Sequence, residues 1–453
     1  MSNMSRKNNH RIVIASLQTL PCQYLQLLSL YRFLSACYLY DFNLTKRIIV
    51  DKLQGVRMRI SMMTFFLTIL VSLNITGCNS SSDDSTPPTP PPVEVNLTVP
   101  AEKYPVASAP FVIDNSKIDP NINYWTGEEI NGTRYSVANI IQNNSETIVF
   151  PVTIPDDAIY GSVRSQTMHF AAYLLYPTSW DNDDPDIDYG YGLVFPKMRQ
   201  AGENPKFPDA AEKYPLIVFS HGYGDHPGSN IEFLEEYAKR GYIVLAIWHG
   251  DHMFDEDSPE QLAMRPLEMK YAIDYILNDP IYASHIDENK IAAMGQSFGG
   301  LSVAGLVGAK LMNFERSYAE HRVIMMDVQT DSKVKAAVGI VPWFGGSDTY
   351  NYSAAQSESV FSPFMAFAGE QDNDASYDLI FKNLKSMQSV DKYLIKFSKY
   401  GHDLVDETTA HDILAWSIPY LEAYLENNTS SKLLIQSATS AQGYADDKKD
   451  NLE

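Results

Sequence analysis

The chain has 453 residues, 45% of them hydrophobic and 12% aromatic, enough apolar material for one large domain with extensions. Its formal net charge is −21 and unevenly placed: residues 1–77 carry nine Lys/Arg against two Asp/Glu, which leaves −28 on the remainder. So acidic a surface argues against nucleic acid or anionic lipid as main partner, and the three cysteines (Cys22, Cys37, Cys78) leave everything beyond residue 78 without a disulfide.

The stretch "MRISMMTFFLTILVSLNITGC" (58–78) has Arg59 as a positive lead, an apolar run from Met62 to Leu73, and Ile75-Thr76-Gly77-Cys78 at its end. It resembles a bacterial lipoprotein signal, in which the closing cysteine is acylated and becomes the first residue of the mature protein. The bland alternatives are a short hydrophobic anchor or a buried helix, and the run is short for a membrane span. Met58 is therefore the expected initiator, 1–57 an uncertain leader that would act as an internal anchor if Met1 starts the protein, and 58–77 the signal. Residues 78–98, with "NSSSDDSTPPTPPP", read as a disordered, partly polyproline tether. Asn79 after the cysteine points to the outer membrane. Lipidation at Cys78, in the cell envelope, is the expectation, with secretion as the alternative.

From 99 to 427 the chain alternates between strands and helices. "TIVFPVTIP" and "MHFAAYLLYP" read as antiparallel edge strands. Next come strand "PLIVFS" (215–220), helix "IEFLEEYAKR" (231–240), strand "YIVLAIW" (242–248) and helix 259–279, with Met269, Ile273, Ile276 and Leu277 at helical spacing. Strand "KIAAMG" and helix "FGGLSVAGLVGAKL" follow, then strands "VKAAVGIVP" and "PFMAFAGE", helix "DLIFKNLKSM", strand "KYLIKFS" and helix "HDILAWSIPYLEAYLEN". Uninterrupted apolar strands alternating with helices imply an α/β fold, a mostly parallel sheet covered on both faces. "TSWDNDDPDIDYGYG" (178–192) reads as a solvated acidic loop, since its carboxylate spacing fits no calcium-binding pattern. Residues 428–453 read as a polar tail.

Gly295-Gln296-Ser297-Phe298-Gly299 falls at a strand end with a helix directly behind it. As a bare pentapeptide G-x-S-x-G is a weak signal, but in this context the glycines permit a tight turn that exposes the Ser297 hydroxyl above a helix N-terminus. A serine nucleophile needs a base, and the base a carboxylate. His321, His402 and His411 follow Ser297. His402, in "SKYGHDLVD" after the last strand, is the expected base. His411 would start the final helix, and His321 sits in an insertion. For the acid, "FAGEQDND" offers Glu370, Asp372 and Asp374, and Asp372 is the choice by position. The oxyanion donors are expected at the amides of Phe298 and of Tyr223 in "SHGYGDH", with His221 supporting that loop. His249, Asp251 and His252 close another strand near His221 and His226. They suggest metal ligands, but loop histidines at a site rim explain them equally well, and no metal is expected.

"PLIVFSHGYGDH", "KIAAMGQSFGGLS", "AFAGEQD" and "YGH", in this order, resemble the α/β-hydrolases, especially platelet-activating-factor acetylhydrolase and dienelactone-hydrolase-like esterases and bacterial cutinase-like polyester hydrolases. The resemblance spans roughly 165–427 and is specific for fold and triad rather than for substrate. It implies that Tyr223 and Trp343, in "GIVPWFGG", form a substrate platform. Gln296 departs from the usual His or Trp, the cutinases' C-terminal disulfide is missing, and the insertions 178–213 and 312–333 have no clear counterpart.

The expected function is cleavage of carboxylic esters by a serine hydrolase through an acyl-enzyme. A lipase or cutinase-like polyester hydrolase is the second reading, and a non-catalytic surface binding protein keeping the fold is the third. No cofactor is expected. The expected partner is an ester substrate, with contact to membrane only through the lipid anchor, and the protein is expected to be a monomer.

Overall fold

The computed structural model describes residues 95–452, apart from 143–144, 191–192, 252–258, 315–322, 327–329, 346–353 and 444. Cys78, the signal, the leader, His252 and His321 thus lie outside the described residues. The continuous apolar runs form a ten-stranded sheet from β1 (Val106–Ser108), β2 (Val149–Thr153), β3 (Thr167–Pro177), β4 (Tyr214–Ser220), β5 (Ile243–Trp248), β6 (Ile286–Gln296), β7 (Val334–Ile340), β8 (Phe364–Gly369), β9 (Lys392–Phe397) and β10 (Asp447–Asp450). The order is β10-β9-β8-β7-β6-β4-β5-β3-β1, with β2 sharing the outer edge of β3 with β1. The six strands from β4 to β9 run parallel, and β3 and β10 flank them antiparallel.

Helices α1 (Ile231–Ala238), α2 (Pro259–Ile276), α3 (Phe298–Leu306), α4 (Tyr377–Ser386), α5 (Glu407–Leu425) and α6 (Thr429–Ser437) complete the main frame. α2 and α3 pack on each other over the central strands, and α1 and α5 do so over the other face. Every residue of β5 is buried, as burial on both faces requires. Each fully buried Val, Leu or Ile contributes about 1.5–3 kcal/mol, so this core stands without a covalent staple. β4 lies between β6 and β5, so the chain reverses its direction of travel across the sheet there. That is the switch point where a parallel sheet opens a crevice at its carboxyl edge.

Three expectations are corrected. The helix after Ser297 stops at Leu306 rather than running to 311, because Gly308 turns the chain at φ +121°. Leu311–Phe314 then pairs antiparallel with Val323–Met326, so the insertion 312–333 holds a strand pair. The last long helix begins at Glu407, where Asp406 accepts from the Thr408 and Thr409 N–H groups, so His411 lies inside it rather than at its start. The polar tail is folded as well. α6 packs on α5, β10 pairs with β9, and Ser440–Ala441 pairs in parallel with Asn96–Leu97. Asp447 anchors it, accepting from Trp416 Nε1 at 2.6 Å and from the Ala441 N–H at 2.9 Å. The domain therefore extends past both the 99 and the 427 boundaries. In the acidic loop, Lys206 meets Asp183 at 2.9 Å and Asp184 at 2.8 Å, so a lysine holds these carboxylates.

Candidate active site

β6 ends at Gln296, and α3 begins at Phe298 with Ser297 between them at φ 53°, ψ −118°. That conformation is costly for a residue with a side chain and persists only where neighbours impose it. Here they do. The Ser297 N–H donates to the Ile340 carbonyl at 2.8 Å, while its own carbonyl accepts from Gly300 at 2.9 Å and Trp343 at 2.9 Å. Crowding explains the flanking glycines: a Cβ on Gly299 would stand 2.0 Å from the Ser220 carbonyl oxygen, and one on Gly295 2.3 Å from that of Gly299. The elbow can therefore sit on the end of β4 only with glycine at both positions. Val341, at φ 42°, is a second strained residue; it closes β7 beside Pro342 and Trp343.

The structure brings the three residues chosen for the triad together. Ser297 Oγ lies 2.9 Å from His402 Nε2, and His402 Nδ1 lies 2.8 Å from Asp372 Oδ2. Asp372 is 7% exposed, and its Oδ1 accepts from the Asp374 and Ala375 N–H groups, each at 2.8 Å. The loops carrying base and acid are tied by Gln371 N–H donating to the Tyr400 carbonyl at 3.0 Å. The hydrogen bond to Asp372 raises the His402 pKa above the usual 6.5, against the opposing effect of burial. Asp374 is exposed and donates its backbone N–H to Asp372, and Glu370 pairs with Lys396 at 3.1 Å. His411 meets Asp412 at 3.2 Å. Asp372, Asp374 and His402 offer atoms within 4.8 Å of one another, as a metal site would, but hydrogen bonds already engage Asp372 and His402.

Tyr223 and Phe298 lie at the same carboxyl edge, their rings 5.8 Å apart and edge to face. Trp343 continues the line, 5.9 Å from Phe298. Gly222 abuts the nucleophile, since a Cβ there would be 3.8 Å from Ser297 Cβ. Phe298 opens α3, so its N–H has no acceptor within the helix. His221 is fully buried and neutral, with its pKa pushed down to about 4, by burial first and then by Arg265. Among the described residues of the suggested ligand cluster, each side chain has another partner. His249 sits between Ser220 Oγ at 2.8 Å and Glu268 at 2.5 Å, His226 caps the turn at Pro227–Asn230, and Asp251 pairs with Arg265. Arg265 and Glu268 are missed by sequence reasoning. On a helix, such residues read as a solvated face, yet both are buried beneath the site.

The switch-point crevice, the strained serine elbow and the histidine after the penultimate sheet strand define an α/β-hydrolase fold. The chain resembles the serine esterases of that superfamily. Residues 192–255 match the model of the family described as platelet-activating factor acetylhydrolase, isoform II. A cutinase, est2, of Thermobifida alba is 24% identical over 49% of this chain and 64% of its own. The platelet-activating factor acetylhydrolase of Cavia porcellus is 27% identical over 20% of this chain and 31% of its own. Cutinase 2 of Thermobifida cellulosilytica is 31% identical over 21% and 34%. The chain thus spans less than two thirds of the length of these relatives.

Proposed function

We propose that the protein is a serine hydrolase that cleaves carboxylic esters. The observation carrying this reading is the unbroken chain from Ser297 Oγ through His402 to Asp372, at 2.9 and 2.8 Å, on a backbone strained to present the hydroxyl. Neutral His402 takes the Ser297 proton on Nε2 as Oγ bonds to the ester carbon. The carbonyl electron pair moves onto oxygen, where the Tyr223 and Phe298 amides meet it. Collapse of the intermediate breaks the bond to the alcohol, which leaves with the proton from His402. Water then repeats the sequence on the acyl-enzyme and frees the acid. Asp372 holds the imidazole with Nδ1 protonated and stabilises the cation. On this reading the protein acts as a monomer without a cofactor, tethered by acylated Cys78 to the cell envelope.

A second reading, a polyester hydrolase or lipase, is favoured by two aromatic side chains beside the nucleophile, Tyr223 (44% exposed) and half-buried Trp343, both packed on the buried Phe298 ring. Such a surface suits a long or polymeric substrate laid across the nucleophile.

The test is labelling by a fluorophosphonate with mass mapping to Ser297, alongside p-nitrophenyl esters from acetate to palmitate and a polyester film. Label on Ser297 with turnover supports an esterase, and chain-length and film preference sort the two readings. A protein that neither labels nor turns over any ester would be the non-catalytic binding protein instead.

A further inference from the structure

We propose that Arg265 is a positioning residue of the oxyanion hole: it holds the Gly222 carbonyl and so aims the Tyr223 N–H at the substrate oxygen. This rests on the esterase reading above.

Arg265 comes from α2, is 2% exposed, and reaches the end of β4 from beneath. Its five N–H donors meet five acceptors. Nε donates to Asp251 Oδ1 at 2.9 Å, and Nη2 donates to Asp251 Oδ2 and to the Gly222 carbonyl at 3.0 Å. Nη1 donates to the His221 carbonyl and to Ser220 Oγ at 3.4 Å. A buried guanidinium is tolerated only when satisfied in this way. The acceptors beyond Asp251 belong to three successive residues, Ser220 to Gly222, that lead from the end of β4 to Tyr223.

The consequence follows from the peptide bond. The Gly222–Tyr223 unit is planar and trans, so its N–H points opposite to its carbonyl. With that carbonyl held on the guanidinium, the Tyr223 N–H must point away from Arg265. The carbonyl is held twice, because His221 Nδ1 also donates to it at 2.7 Å. His221 Nε2 accepts from the His249 N–H at 3.3 Å, which leaves the proton on Nδ1. Asp251 closes the frame from the other end, with Oδ2 accepting from the Gly224 N–H at 2.7 Å. The same guanidinium lies 4.7 Å from the centre of the Phe298 ring, so one side chain touches Phe298 and the carbonyl end of the peptide unit that bears the Tyr223 N–H. A lysine ammonium is a point donor and could not span these acceptors.

The experiment compares Arg265→Lys, Arg265→Met and the double variant Asp251→Leu/Arg265→Met, which replaces the buried ion pair by apolar side chains. Such replacements commonly preserve stability, so the double variant keeps the test open if the single variants unfold. For each, kcat, KM on a short-chain p-nitrophenyl ester, melting temperature and affinity for a trifluoromethyl ketone are measured per mole of folded protein. The ketone forms an oxyanion on the nucleophile, so it reads the hole directly. The expected result is a kcat lower by about 10²-fold in the Met and double variants, the scale of losing one oxyanion donor, and a smaller loss in Lys. KM should stay within about threefold, and ketone affinity should fall in step with kcat. If the double variant folds with kcat and ketone affinity at wild-type level, Arg265 only fills space and the proposal is overturned. Ser297→Ala is the separate control: ester turnover surviving in it overturns the esterase reading itself, whatever Arg265 does.

Discussion

Replacing Asp372 with asparagine is isosteric, yet the structure decides which way the new amide must face. Oδ1 of Asp372 accepts two backbone N–H groups, from Asp374 and Ala375, each at 2.8 Å. In Asp372→Asn the amide oxygen keeps that position, since an NH2 there would meet two donors. The NH2 is therefore presented to His402 Nδ1, where Oδ2 now accepts at 2.8 Å. Nδ1 must then become the acceptor, which puts the imidazole proton on Nε2, facing Ser297 Oγ at 2.9 Å. A protonated Nε2 cannot take the serine proton, and the carboxylate charge that steadies the imidazolium is gone. The expected loss in kcat is about 10⁴, or about 5 kcal/mol of transition-state stabilisation. Asp374→Asn and Glu370→Gln leave the His402 partner in place and should stay within about tenfold of wild type. The assay is turnover of a short-chain ester by all three variants, with folding checked by circular dichroism. Near wild-type turnover in Asp372→Asn, with Asp374→Asn crippled, would refute the assignment and the tautomer argument with it.

Further outcomes follow from the same geometry. Turnover should rise from acid to neutral pH with its midpoint above histidine's ordinary 6.5, because only neutral His402 accepts a proton and Asp372 raises its pKa; a flat kcat/KM profile from pH 5 to 8 is the contrary result. Stability runs the other way. A raised pKa means the His402–Asp372 contribution is complete below 6.5 and is lost as pH climbs through the folded value, which melting curves across that range will read. Gly299→Ala places a methyl 2.0 Å from the Ser220 carbonyl oxygen and should cost about 4 kcal/mol or more, whereas Gly222→Ala meets only Ser297 Cβ at 3.8 Å and should melt within a few degrees of wild type. Equal melting temperatures for the two would contradict the packing account. Cys78→Ser should abolish palmitate labelling and release the protein from the membrane fraction, and unchanged labelling rejects the lipid anchor.

Sequence alone determined the features that depend on local pattern. Runs such as "YIVLAIW" had to be strands buried on both faces, because nothing in them is polar enough to meet water. Gly295 and Gly299 around Ser297, with His402 behind the "KYLIKFS" strand, were legible because strands alternating with helices run parallel and so bring their carboxyl ends to one edge. Other features were invisible for physical reasons. The charged segment Asp447–Asp450 pairs with β9 through backbone hydrogen bonds, so no side-chain alternation betrays it. Asp372 was the choice by position among Glu370, Asp372 and Asp374, but what holds it towards His402, a turn folding back so that the Asp374 and Ala375 N–H groups grip its other oxygen, shows only in three dimensions. Arg265 and Glu268 carry the chemistry of a solvated helix face. Only the tertiary structure, by closing α2 over the end of β4, takes Arg265 out of water and supplies the five acceptors that make a buried cation affordable there.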